Sequence, residues 1–286
     1  MKSYSLGLYE KSMPSELSWE EKMLAAKEAR FDFIEISIDE SDEKLSRLDM
    51  SQEERLKLVQ LMQKHQMPIR TMCLSGHRKY PLGSSEEAVW KRGMEIMEKA
   101  ICLADDLGIR IIQLAGYDVY YENSDETTKE RFAKNLARAV EMAETAGIVM
   151  GFETMETEFM NSVAKAMKYV NKMSSCYLNV YPDIGNITNA ALAEGKDVLE
   201  DLETGRGHLV AMHLKETVPG KFREIPFGTG HVNFQKAIEK AWELGVRKYV
   251  TEFWYTGSPK WKEDLSFANN MMTEILMQQQ VAEWLA

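Results

Sequence analysis

The sequence predicts an α/β fold, a single (β/α)8 TIM barrel spanning residues 1–286. Three observations predict it. Eight short apolar runs alternate with longer amphipathic runs, beginning near Tyr4, Asp32, Ile69, Ile109, Ile148, Tyr177, His208 and Lys248. Intervals of roughly 30 to 40 residues hold one strand, one helix and two loops. No glycine-rich GxGxxG turn follows the first run, where GLYEKSMPSE stands instead, so a doubly wound nucleotide-binding sheet is disfavoured. Four later runs, VMGFE, YLNVYPD, LVAMH and KYVTE, each end in a residue able to bind a metal, as the carboxyl ends of barrel strands do when they converge on one mouth.

The connecting segments carry helix signals in order. Ser18-Trp19-Glu20-Glu21 has the spacing of a capping box after the first run, and Ser51-Gln52-Glu53-Glu54 repeats it after the second. Ser84 or Ser85 opens a long helix that ends at Leu107-Gly108, where glycine supplies the left-handed terminator. Ala146-Gly147 and Leu244-Gly245 end two more helices directly before apolar runs, and a last helix runs from about Lys262 to Trp284. The methionines of MGFETMETEFM and ANNMMTEILM read as helically spaced core filler.

Composition narrows the function. With 286 residues and 44% hydrophobic content the chain can bury a large core, and its net charge of -10 argues against binding nucleic acid. No run is long enough for a membrane span, and no signal peptide stands at the start. Cys73, Cys102 and Cys176 form no CxxC pair and read as reduced, structural thiols, which places the chain in the cytoplasm.

The candidate site is the set Glu153, Asp183, His213 and Glu252. This oxygen-rich donor set suits a divalent metal such as Zn, Mn, Mg or Co. Asp183, between Pro182 and Gly185, also reads as the cap of the next helix, and Glu153 as a partner in a salt bridge. His208 begins the run that His213 ends and reads as structural. His77, Arg78 and Lys79 form a basic cluster after the third run that could receive a phosphate, with Lys215, Lys221 and Arg223 as alternatives. Phe253 and Trp254 follow Glu252 and could wall a site off from water.

The blocks IEISIDESDEKLSRLDMS, MCLSGHRKYPLGS, GIRIIQLAGYDVYY, YPDIGN, VAMHLKET and PFGTGHVNF resemble the L-ribulose-5-phosphate 3-epimerases (L-xylulose-5-phosphate 3-epimerases) of L-ascorbate utilisation, within the xylose-isomerase-like barrels. The resemblance implies that Glu153, Asp183, His213 and Glu252 hold the metal, that the substrate is a phosphorylated ketose, and that the protein is a homodimer. Free-sugar relatives carry a histidine three residues after the aspartate ligand; Asn186 stands there in this chain and points to a different, phosphorylated substrate. The expected chemistry inverts C3 through a cis-enediolate stabilised by the metal, with Glu153 and Glu252 exchanging acid and base roles. Glu156 and Asn186 are expected to contact substrate, with the phosphate at His77, Arg78 or Lys215. The rival is an aldose–ketose isomerase of the hexulose-6-phosphate type using the same metal. An endonuclease with three metals is disfavoured by the small number of histidines, and a non-catalytic sugar-binding barrel would not need opposed carboxylates.

Overall fold

In the computed structural model, which describes residues 2–285, eight strands begin at or shortly after the expected positions. They are β1 (Ser5–Tyr9), β2 (Phe33–Ile38), β3 (Ile69–Leu74), β4 (Ile111–Ala115), β5 (Val149–Glu153), β6 (Leu178–Val180), β7 (Met212–Leu214) and β8 (Lys248–Thr251). Their order in the sheet is β6-β5-β4-β3-β2-β1-β8-β7, and every pairing is parallel. The ring closes between β6 and β7 through two isolated parallel bridges, Val180↔Leu209 and Asp183↔His213. The run expected to start at His208 therefore becomes a regular strand only at Met212. Its partner strand is cut short by Pro182, which has no N–H to give the ladder.

Helices cover the outside: α1 (Trp19–Glu28), α2 (Asp42–Ser46), α3 (Gln52–His65), α4 (Glu87–Leu107), α5 (Glu126–Ala146), α6 (Val163–Met173), α7 (Ile184–Glu194), α8 (Val198–Glu203), α9 (Phe234–Glu243) and α10 (Trp261–Leu285). Both expected capping boxes form: Ser18 with Glu21, and Ser51 with Glu54. Neither Ser84 nor Ser85 caps α4; both hydroxyls donate to Glu122 instead, and Glu86 stands at the cap without a side-chain bond. Gly108 and Gly147 end α4 and α5 with φ of 72° and 68°, a conformation that would strain any residue with a Cβ.

Strand pleat sorts the side chains into two cores. In β2, Ile34, Ile36 and Ile38 face the helices and join the main core. Phe33 faces the barrel interior with Tyr9, Cys73, Ile111, Tyr181, Ala211 and Val250. Strands buried on both faces explain why the runs read as continuously apolar. Met150, Met155 and Met160 are buried as expected, but their segment is strand, loop and 3-10 turn, not helix. On α10, Met272 is buried and Met277 is exposed. All three cysteines are free; Cys73 is buried, whereas Cys102 and Cys176 are exposed, so only Cys73 fits the structural role expected of all three.

One charged cluster lies outside the mouth. Glu10, in the turn after β1, is buried with Lys22 and Lys44, and the partly buried Arg47 closes over it. Arg47 Nη1 lies 2.6 Å and the Ser37 N–H 3.0 Å from Glu10 Oε2, while Lys44 and Lys22 lie 2.9 Å and 3.5 Å from Oε1. Arg47 and Lys22 also lie over the Trp19 ring. Among the described residues, no helix is long and apolar enough to cross a membrane.

Candidate metal centre

Glu153 is the last residue of β5, His213 is the middle of β7, Asp183 follows β6, and Glu252 follows β8. Parallel strands place all four at the carboxyl-terminal mouth. One donor atom from each lies within 4.8 Å of the others, and all four side chains are buried. His213 Nδ1 faces the carboxylates, at 3.1 Å from Glu252 Oε2, 3.5 Å from Glu153 Oε1 and 3.9 Å from Asp183 Oδ2. Asp183 caps the next helix as expected. Its Oδ1 caps α7 by accepting the Asn186 N–H at 2.8 Å, which turns Oδ2 inward.

These residues fit a divalent cation. Asp183 Oδ2 and Glu252 Oε2 are buried without an aligned hydrogen bond, and Lys215 is one positive charge shared among three carboxylates, so a further cation would offset the remaining charge. Three carboxylates this close repel one another. Burial pushes Glu153 up, helped by the charge on Glu252, and pushes Asp183 well above the usual carboxylate range. Burial opposes the ionisation of Glu252 too, but Lys215 and His213 outweigh it and hold that carboxyl well below its ordinary value. His213 is raised, its burial overcome by Glu35 and Glu252. Glu153, Asp183 and His213 thus all shift toward holding a proton, and a divalent ion binding to these donors displaces protons.

Lys215 is buried beside the cluster, with Nζ 2.7 Å from Asp183 Oδ2 and 3.6 Å from Glu252 Oε2. The contact with Asp183 is an ion pair without hydrogen-bond alignment; the directed bond of Lys215 goes to Asn186 Oδ1 at 2.8 Å. Asn186 is fixed in turn by donating to the Thr154 carbonyl.

A cavity of about 310 Å³ opens above the cluster. Glu153, Glu252, Glu156, Asn186, Lys215 and Arg78 all line it, as do Arg223 and Trp254. Glu156 accepts from Tyr117 at 2.6 Å, a bond that lowers its pKa against the effect of burial. Arg78 lies over the Tyr120 ring at 5.0 Å and, among the described residues, forms no ion pair. Trp254 walls the cavity, whereas Phe253 packs on the main core.

His77 departs from expectation. It is buried away from the cavity with Nε2 3.0 Å from the Gly93 carbonyl of α4, and burial lowers its pKa to about 4. A neutral, enclosed imidazole is not a phosphate-binding cation. His208 meets Asn179, as a structural histidine would. Cys73 lines the cavity as well as packing inside the barrel.

Sequence reasoning missed the groups beneath the mouth. Glu35, in the middle of β2, lies 2.6 Å from His213 Nε2 and accepts from the Tyr181 hydroxyl at 2.9 Å. Its signal was a lone carboxylate inside FIEISI, on the inward parity of the strand.

An eight-stranded parallel barrel with this donor set at its mouth defines a class: barrels that could hold a divalent ion above the strand ends. The profile of the xylose isomerase-like TIM barrels matches residues 23–271. The L-ribulose-5-phosphate 3-epimerase UlaE of Escherichia coli O139:H28 (strain E24377A / ETEC) is 45% identical over 254 residues, covering 88% of each chain. The SgbU protein of Escherichia coli (strain K12) is 47% identical over 261 residues, covering 89% of this chain and 90% of its own. A crystal structure of a D-tagatose 3-epimerase-like protein superposes with a TM-score of 0.80 at 20% identity, over 99% of this chain and 100% of that one, which speaks to the fold alone. The chain belongs to the xylose isomerase-like TIM barrels and, within them, to the L-ribulose-5-phosphate 3-epimerase family. It is an isomerase of the epimerase kind.

Proposed function

We propose that the protein interconverts L-ribulose 5-phosphate and its C3 epimer, L-xylulose 5-phosphate. The observation that carries this reading is the pair of buried glutamates, Glu153 and Glu252, reaching one cavity from β5 and from the end of β8, with β6 and β7 between them around the ring. Inverting a carbon beside a ketone needs one group to remove its proton and another to return a proton on the opposite face. Glu153 and Glu252 fill those roles in alternation, one for each epimer.

Glu153, Asp183, His213 and Glu252 hold one divalent ion, Zn, Mn, Mg or Co, whose chemistry when bound is Lewis-acid stabilisation of negative charge developing on the ketose oxygens. The chain's own groups do the rest. Lys215 presents a fixed cation where O2 and O3 become enediolate-like. Asn186 orients Lys215, and Glu156, held by Tyr117, accepts from a substrate hydroxyl. Arg78, which forms no ion pair among the described residues, takes the phosphate as a charge-assisted, two-pronged donor. Trp254 and Tyr9 exclude water from the reacting carbon. The free thiols suit a reducing compartment, and we place the enzyme in the cytoplasm as a homodimer.

The test is proton NMR of the metal-loaded protein with L-xylulose 5-phosphate in D₂O. Deuterium at C3 of both ketoses supports the epimerase. Label at C1 or C2 with an aldose product would instead make it an aldose–ketose isomerase, and no exchange with any of the four ions would overturn the substrate assignment.

A further inference from the structure

We infer that Glu35 is a positioning residue for His213, fixing the imidazole with Nε2–H donated to its own carboxylate and Nδ1 presented to Glu153, Asp183 and Glu252. The inference rests on the metal-centre reading above and deepens it.

The geometry is specific at each atom. Glu35 is fully buried in the interior of the barrel, where a packing role calls for an apolar side chain. Burying a carboxylate is costly unless its oxygens are used, and both are: Oε1 lies 2.6 Å from His213 Nε2, and Oε2 accepts from the Tyr181 hydroxyl at 2.9 Å. The Tyr181 ring also meets the His213 ring edge-on, with centroids 4.9 Å apart, so tyrosine braces both members of the pair. A neutral imidazole carries one N–H; committing it to Glu35 leaves the Nδ1 lone pair facing the carboxylates, where a cation would sit.

The other polar group on the ring is less directed. Gln113 Nε2 lies 3.0 Å from Nδ1 and 3.3 Å from Nε2, and its Oε1 has no partner. That amide stands between the two nitrogens and selects neither. Glu35 touches one nitrogen only, at the shorter distance, and so sets the tautomer. Carboxylate partners of this kind raise the donor strength of a ligating histidine, and losing one typically lowers metal affinity by about 10- to 100-fold.

The experiment measures Zn²⁺ and Mn²⁺ affinity of the full chain by competition with a chromophoric chelator, for wild type, Glu35→Gln and Tyr181→Phe, with circular dichroism confirming the fold of each without metal. Glu35→Gln is expected to bind about 10- to 100-fold more weakly, and Tyr181→Phe to lose less. Long-range ¹H–¹⁵N correlation of the Zn²⁺-loaded wild type is expected to show His213 protonated at Nε2, a signature that a packing role would not set. Folded Glu35→Gln binding as tightly as wild type, or a ring protonated at Nδ1, would overturn the inference. If Glu35→Gln does not fold, Tyr181→Phe binding at wild-type affinity would count against it. Wild type that takes up neither ion would instead overturn the metal reading beneath it.

Discussion

Two buried charge clusters lie in this barrel, and they are built oppositely. Around Glu10 one carboxylate meets Lys22, Lys44 and Arg47, and both of its oxygens are bonded. At the mouth three carboxylates, Glu153, Asp183 and Glu252, crowd one lysine, and two buried oxygens stay without hydrogen bonds. The first cluster is closed: every charge has its partner inside the protein, and it ties the β1 turn to α1 and α2. The second is open toward a cavity and has acceptors to spare. A buried cluster that satisfies itself is there to hold the chain, and one that leaves donor atoms facing a cavity is there to bind something.

Substitutions can sharpen that contrast. The largest effect is expected from Glu252→Gln or Glu153→Gln, which should cut deuterium exchange at C3 by at least about 100- to 10,000-fold while leaving the urea midpoint near wild type. Glu10→Gln should do the reverse. It leaves three cations facing a neutral amide, so unfolding in urea should show a loss of about 3–5 kcal/mol with turnover per folded molecule retained. Wild-type turnover in Glu252→Gln would erase the distinction, as would unchanged stability in Glu10→Gln.

The acid limb offers a graded check. Burial opposes ionisation of Glu10, but Arg47 and Lys22, with Lys44, outweigh it and lower its pKa from 4.5 to about 2. A depressed carboxyl contributes stability fully above its unfolded pKa and loses it as pH falls from 4.5 toward 2. Wild type should therefore lose about 3 kcal/mol across that window relative to Glu10→Gln, read from urea melts at stepped pH. The smallest effect concerns neighbours in one turn. Arg78→Ala should raise KM for the phosphorylated ketose about 10- to 100-fold, the worth of hydrogen bonds to a charged group. His77→Gln should leave KM alone, because that ring is buried and hydrogen-bonded to the Gly93 carbonyl.

Much of this was legible in the chain. Strand runs, capping boxes and the glycine terminators at Gly108 and Gly147 are local signals, and they survive into the structure because tertiary contacts agree with them. The four candidate ligands stood out because each ends a run. What stayed hidden depends on which way a side chain points after the ring closes. Glu35 and Gln113 sit inside strands, and their partner His213 lies on β7, far along the chain, so no spacing rule connects them. Arg78 and His77 are adjacent, yet one lines the cavity and the other is enclosed under α4. Composition could not separate them.

The seam between β6 and β7 has a consequence for motion. A ring of strands breathes where its ladder is thinnest, and this one is held there by two isolated bridges, one of them joining Asp183 to His213. The same two residues would share a bound ion, so the ion acts as a clasp across the joint least able to hold itself. Amide hydrogens at Val210 and His213, which bond across that joint to Val180 and Pro182, should exchange faster than those of β2 or β4 in the metal-free protein, and should slow more than any others when Zn²⁺ is added.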